Sequence, residues 1–198
     1  MRPLLPLAIA GLLLTGSGAR ADEFLDQLDL VRQLYEEGDV SGAMTELDFA
    51  RQLLQDTLGE RFVAAFPDPP EGWEAEPAQL QPTGMLGGGL LVSRRYRRGD
   101  GPGEIDAQIV ANSPMIQAFA AMMSNAAMMA AEPGAKRIRV GRATAILTWD
   151  EQERTGEVRL AVGQAMISLE GRDLDDSEPL ITLIKAFDLE TVKELAGG

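Results

Sequence analysis

At Leu90 the hydrophobic period of the chain changes, and that change restricts the fold more than any other feature. Before it, through Gly59, apolar side chains recur every three or four residues, as one face of a helix requires. After it they alternate. Leu90, Val92, Arg94, Tyr96 and Arg98 share one side of a strand, and Leu91, Ser93, Arg95 and Arg97 share the other. Asp100-Gly101-Pro102-Gly103 reads as a turn. Ile105, Ala107, Ile109 and Ala111 then alternate with Asp106, Gln108, Val110 and Asn112, which predicts an antiparallel hairpin.

The stretch Ser113–Ala131, SPMIQAFAAMMSNAAMMAA, is uncharged and holds five of the nine methionines. Ser113 is placed to cap a helix with Pro114 at its first position, and Glu132-Pro133-Gly134 stops it. Strands follow at Lys136–Val140, Arg142–Trp149, Glu157–Val162 and Gln164–Glu170. Ser177 is placed to cap a helix carrying Leu180, Leu183 and Ile184, and Asp188 a short last one. The order ββ-α-βββ-α, behind an N-terminal αα-hairpin, predicts an α+β fold. Its antiparallel sheet has about five or six strands, packed by a central Met-rich helix and a C-terminal helix.

The N-terminus reads as a secretory leader over residues 1–21. Arg2 supplies positive charge, Leu4–Leu14 is an apolar run, and Ala19-Arg20-Ala21 is an A-x-A cleavage site. That run of about 11 residues is short of the roughly 20 that span a bilayer. The expected location is therefore the periplasm or the exterior, after cleavage near Ala21, with no transmembrane span left. Losing Arg2 and Arg20 takes the net charge from −13 to −15, which argues against nucleic acid as a partner. Histidine and cysteine are both absent. Ser-His-Asp and Cys-His catalysis and an ordinary zinc site are thereby excluded, and no cofactor is implied. No catalytic motif is present, and the expectation is a protein that is not an enzyme.

Residues 22–66 read as two helices. The first, Glu23–Glu37, carries Phe24, Leu28, Val31 and Tyr35. The second, from about Gly42 to Leu58, is capped by Ser41, carries Ala43, Leu47, Ala50 and Leu54, and is closed by Gly59. Gly38, Ala43, Leu47 and Ala50 resemble one tetratricopeptide-type unit, in which small residues let antiparallel helices approach. That resemblance implies a protein-docking arm, and a hairpin docked on its own domain is the plainer reading. Residues 67–89, rich in proline and glycine, read as a linker to the α+β domain at 90–198; the triplet Gly87-Gly88-Gly89 has no following lysine and reads as an entry into a strand. The leader, the hairpin, FPDPPEGW, QIVANSPM and AFDLETVKEL together resemble a group of uncharacterised secreted proteins of proteobacterial type. That likeness implies location and architecture and no activity.

Two sets of side chains are candidate sites. Met115, Phe119, Met122, Met123, Met128 and Met129 fit core packing, an apolar ligand or partner surface, or thioether binding of Cu(I). Arg94, Arg95, Arg97 and Arg98 fit an anion site, or a solvated strand paired with local acids. The acidic loop Asp173–Glu178 lacks the spacing of a calcium loop and is accounted for by helix capping. The expected function is that of a soluble binding or accessory protein that contacts another periplasmic or envelope protein through its hairpin. The alternatives are a carrier of a small apolar ligand beside the Met-rich helix and, more remotely, Cu(I) binding by methionine.

Overall fold

The computed structural model describes residues 17–81, 89–113, 116 and 134–197. Its elements are helices α1 (Ser17–Glu36) and α2 (Val40–Ala64), strands β1 (Trp73–Ala75), β2 (Gln79–Gln81), β3 (Leu90–Arg98), β4 (Glu104–Ala111), β5 (Lys136–Val140), β6 (Ala143–Asp150), β7 (Thr155–Val162) and β8 (Ala165–Arg172), and helices α3 (Glu178–Ala186) and α4 (Leu189–Leu195). The fold is α+β. The chain divides into two compact units, Met1–Leu54 and Gln55–Gly198.

All eight strands of the second unit join one antiparallel sheet, in the order β1-β3-β4-β8-β7-β6-β5, with β2 also on β3. The strands expected from alternation are all present. Two more, β1 and β2, lie within the segment 67–89 that the sequence suggests is a linker. That expectation is corrected: Trp73–Ala75 and Gln79–Gln81 pair with β3. The backbone ahead of them is also tied down. The Tyr96 hydroxyl donates to the Pro67 carbonyl at 2.8 Å, and Arg94 donates to the same oxygen at 3.1 Å.

One face of the sheet is apolar. Val92, Tyr96, Ile105, Ile109, Leu160 and Ile167 are fully buried on it. In β4 and β8 every second residue is buried, which is the period a strand imposes when one side is covered. Burying each such Ile or Leu contributes about 1.5–3 kcal/mol. The cover comes from Leu180, Leu183 and Ile184 of α3, Val192 of α4, and Phe62 and Phe66. Phe66 meets Phe187 edge-on, with ring centroids 5.7 Å apart. Gly156 and Gly171 face each other across β7 and β8. Their missing side chains leave room for Trp149 and Leu180, since a Cβ on Gly156 would stand 2.7 Å from the Trp149 ring.

The end of α2 differs from expectation. The helix passes through Gly59 and continues to Ala64. Gly59 does not stop it; a Cβ there would meet the Leu80 methyl at 2.8 Å, so glycine admits β2. The last turns of α2 consequently belong to the second unit, not to a hairpin ending at Phe66. Capping also shifts. Asp39, not Ser41, accepts the Gly42 amide at the start of α2. Asp176, not Ser177, accepts the Glu178 amide at the start of α3. Asp188 caps α4 as expected, accepting from Glu190 and Thr191.

Phe62→Ala is expected to destabilise the protein by about 3–5 kcal/mol, measured by urea unfolding, because it opens a cavity under the sheet. A truncation beginning at Glu71 discards Phe62 and Phe66 and is expected to lose cooperative unfolding. Burial pushes the Tyr96 hydroxyl up to about 12, against a smaller opposite pull from Arg94. The unfolded chain releases that proton near 10.0, so Tyr96 contributes stability that is complete below that pH and lost as pH climbs through about 12. Unfolding measured at pH 8 and pH 11 is expected to show a steeper loss in the parent protein than in Tyr96→Phe.

Candidate functional site

The helical hairpin, taken from Glu23 to Leu54, departs most from an ordinary buried helix pair. Glu37-Gly38-Asp39 joins α1 to α2, and Gly38 takes the left-handed backbone (φ 85°) that such a tight reversal needs. Between Glu23 and Leu54 the side chains withdrawn from solvent are Phe24, Gln27, Val31 and Leu34 on α1 and Ala43, Glu46, Ala50 and Leu53 on α2. Both rows have the spacing 3, 4, 3, which is one helical face. They face each other, because Gln27 donates to the Glu46 carbonyl at 3.2 Å and to its carboxylate.

This seam is rotated from the stripe that apolar spacing predicts. Val31, Phe24, Ala43 and Ala50 are on it as expected. Leu28, Tyr35, Leu47 and Leu54 are not. The cause is local. Gln27 and Glu46 satisfy each other's polar groups, so they enter the seam at little cost. Ala43 and Ala50 keep the seam narrow, and the larger side chains are left on its flanks.

The flanks form one surface. On α1, Leu25, Leu28 and Tyr35 lie to one rotational side of the inner row; on α2, Val40, Met44, Leu47 and Leu54 lie to the same rotational side of theirs. In an antiparallel pair these two sides open onto the same broad face of the hairpin. The exposures are large: Tyr35 67%, Met44 66%, Leu25 57% and Leu47 52%. Leu30 and Phe49 sit on the opposite face. Of the exposed large apolar side chains among the described residues, only Leu80 belongs to the second unit. Scattered exposed leucines are ordinary, whereas a contiguous apolar face of several hundred Å² marks an interaction surface. The seven side chains present on the order of 700–800 Å², close to the roughly 800 Å² one partner buries in a stable interface.

Charge surrounds this face. From Glu23 to Leu54 the acids are Glu23, Asp26, Asp29, Glu36, Glu37, Asp39, Glu46 and Asp48, against Arg32 and Arg51 alone. Both arginines pair with an acid of their own helix, Arg32 with Asp29 and Arg51 with Asp48. The hairpin is therefore an apolar face in a strongly negative field.

The structure divides the four arginines of β3 between the two sides of the sheet and engages each one. Arg95 meets Asp106 at 2.8 Å, and Arg97 meets Glu76 at 2.8 Å and Glu104 at 3.4 Å. Asp106 and Glu104 also pair with Arg172 from β8. The guanidinium of Arg95 is held above its ordinary range, first by its hydrogen bond to Asp106. On the other side Arg94 lies over the Tyr96 ring and donates to Glu76 O. Arg98 lies over Trp73 and meets Asp175 at 2.7 Å. An incoming anion would displace a carboxylate at each of Arg95, Arg97 and Arg98, and the arrangement stitches the sheet.

Met115, Phe119, Met122, Met123, Met128 and Met129 lie outside the described residues. Nearby, Ile116 and Ser113 are buried. Among the described residues no group of three or more acidic side chains is arranged to hold a metal ion, and no helix is long and apolar enough to cross a membrane. No family model matches this chain, and no curated protein and no solved structure matches it.

Asp175 joins Arg98 to Arg154, which it meets at 2.6 Å, and so ties β3 to the turn between β6 and β7. Its carboxyl is held below the ordinary 3.8, first by the hydrogen bond from Arg98 and then by the charges of Arg98 and Arg154. A depressed folded-state value contributes stability above about pH 4 that is lost as pH falls further. Asp175→Asn is therefore expected to flatten the acid limb of the stability profile below about pH 4, followed by circular dichroism.

Proposed function

We propose that this protein is a non-catalytic accessory protein of the periplasm or cell exterior that holds another envelope protein on the apolar face of its N-terminal hairpin. The observation that carries the reading is the exposure of Leu25, Leu28, Tyr35, Val40, Met44, Leu47 and Leu54 on one face. Leaving that much apolar surface in water is unfavourable by about 25 cal/mol per Å², and a partner that covers it recovers that free energy. The leader at residues 1–21 supports the location. The tetratricopeptide-like spacing of Gly38, Ala43 and Ala50 supports the docking role.

The occupant is an amphipathic helix with basic flanks. A helix fits the shallow trough between two antiparallel helices and presents anchors at i, i+3, i+4 and i+7. Basic flanks follow from the acids around the face, which attract a cationic partner and slow an acidic one. The same charge disfavours a second copy of this chain, since two hairpins with excess acid would meet face to face.

A photo-crosslinking residue at Leu47, with Arg139 as the control position, tests the reading in envelope preparations. The expected result is one adduct from Leu47, with a basic helical protein, weakened by salt and not formed from Arg139. Leu28→Ser with Leu47→Ser is expected to weaken capture ~10-fold or more while leaving the unfolding midpoint of the second unit in place. An adduct formed only with a second copy of the chain, or none, would overturn the choice of partner.

A further inference from the structure

A groove of about 870 Å³ opens at one end of the sheet of the second unit, between the β5–β6 turn, the end of β7 and the α3–α4 junction. Its size is within the range of small-molecule sites. Val140 and Phe187, both buried, and half-buried Ala143 and Val162 form an apolar floor. Three cations stand on its rim, each from a different element: Arg142 from the β5–β6 turn, Lys185 from the last turn of α3, and Lys193 from α4.

Six arginines of the second unit, Arg95, Arg97, Arg98, Arg154, Arg159 and Arg172, are already engaged by carboxylates in ion pairs. Arg142, Lys185 and Lys193 are in none among the described residues, and all three are exposed. Two acids also reach the groove. Asp188 is occupied as the cap of α4, where it accepts from the Glu190 and Thr191 amides and the Thr191 hydroxyl. Glu190 is exposed. The rim therefore has a cationic excess in a chain with 31 acidic and 18 basic residues. Unpaired cations brought together from three elements, above a floor that water wets poorly, suit a ligand with an anionic head and an aliphatic body.

We infer that this groove binds a small anionic amphiphile, its carboxylate or phosphate held by Arg142, Lys185 and Lys193 and its aliphatic chain laid over Val140, Ala143 and Phe187. The site lies wholly within the second unit and does not depend on the hairpin reading. The aliphatic stems of the two lysines extend the apolar wall while their ammonium groups stay at the rim.

Titration of the full chain with octanoate, n-octyl phosphate, uncharged octanol and inorganic phosphate tests the inference by calorimetry and by NMR shifts of Val140, Ala143, Val162 and Leu189. Octanoate and octyl phosphate are expected to bind with Kd on the order of 100 µM and to shift these residues. Octanol and inorganic phosphate are each expected to bind at least about tenfold more weakly, since each supplies half of the recognition. The combined substitution Arg142→Gln, Lys185→Gln and Lys193→Gln is expected to weaken octanoate about tenfold or more, with the thermal midpoint unchanged, because all three side chains are exposed. Octanol binding as tightly as octanoate would overturn the role of the cations. Inorganic phosphate binding as tightly as octyl phosphate would overturn the role of the floor. Shifts that avoid the groove, or parent-like affinity in the triple variant, would overturn the site.

Discussion

The pairing of β4 with β8 is the contact on which the second unit depends. β3 and β4 form a local hairpin, and β5 to β8 form a local meander; alone, each has an unpaired edge and an apolar face too small to bury. Joined over a full eight-residue register, from Glu104 opposite Arg172 to Ala111 opposite Ala165, they become one sheet with one continuous apolar side. Ile109 against Ile167 and Ala107 against Leu169 place that side in register. A slip of β8 by one residue would turn Met166, Ser168 and Glu170 to the apolar side. The polar side reinforces the same register, because Arg172 of β8 can meet Asp106 and Glu104 of β4 only when the strands align this way.

With that side settled, everything packed on it follows. α3 rests over the glycine pair of β7 and β8, α4 adds Val192, and the last turns of α2 bring Phe62 and Phe66. One helix thus serves both units. Its C-terminal turns are core, since Phe62 is buried under the sheet. Its N-terminal turns form the seam with α1. The contrast within a single helix is informative. Phe62 is fully buried, while Met44, Leu47, Phe49 and Leu54 are half or more exposed. Selection for solubility alone would favour polar residues at those four positions.

Much of this was legible in the sequence, for reasons that also explain the failures. Strands β3 to β8 are visible because one covered side forces strict alternation, as in Ile105, Ala107, Ile109 and Ala111. Strands β1 and β2 are invisible because three residues cannot show a period, and the prolines around them signal a link. The strand order is not legible, since every strand carries an equivalent apolar side and any antiparallel neighbour would match it. The hairpin was legible as two helices but not in its rotation. Ala43 and Ala50 belong to both possible stripes, and the deciding pair, Gln27 with Glu46, looks polar and solvent-bound until the two are seen to bond each other. A warning was present in the sequence: two alanines make a seam too narrow to bury ten or so large apolar side chains. The arginines of β3 were legible as a strand, but their consumption by Glu76, Glu104, Asp106 and Asp175 depends on partners far away in sequence. Pooled cations at Arg142, Lys185 and Lys193 are likewise a product of tertiary structure.

The proposed docking role requires another protein to cover the hairpin's apolar face where this chain works. Hydroxyl-radical footprinting reads that directly, because Met44 and Tyr35 are both reactive and both well exposed in the isolated chain. Labelling of the purified protein is compared with labelling of the same protein within intact envelope preparations. Strong protection of Tyr35, Met44, Leu47 and Leu54 is expected in the envelope, with Leu80 labelled equally in both. Equal labelling of the hairpin in both samples would mean that no partner covers this face.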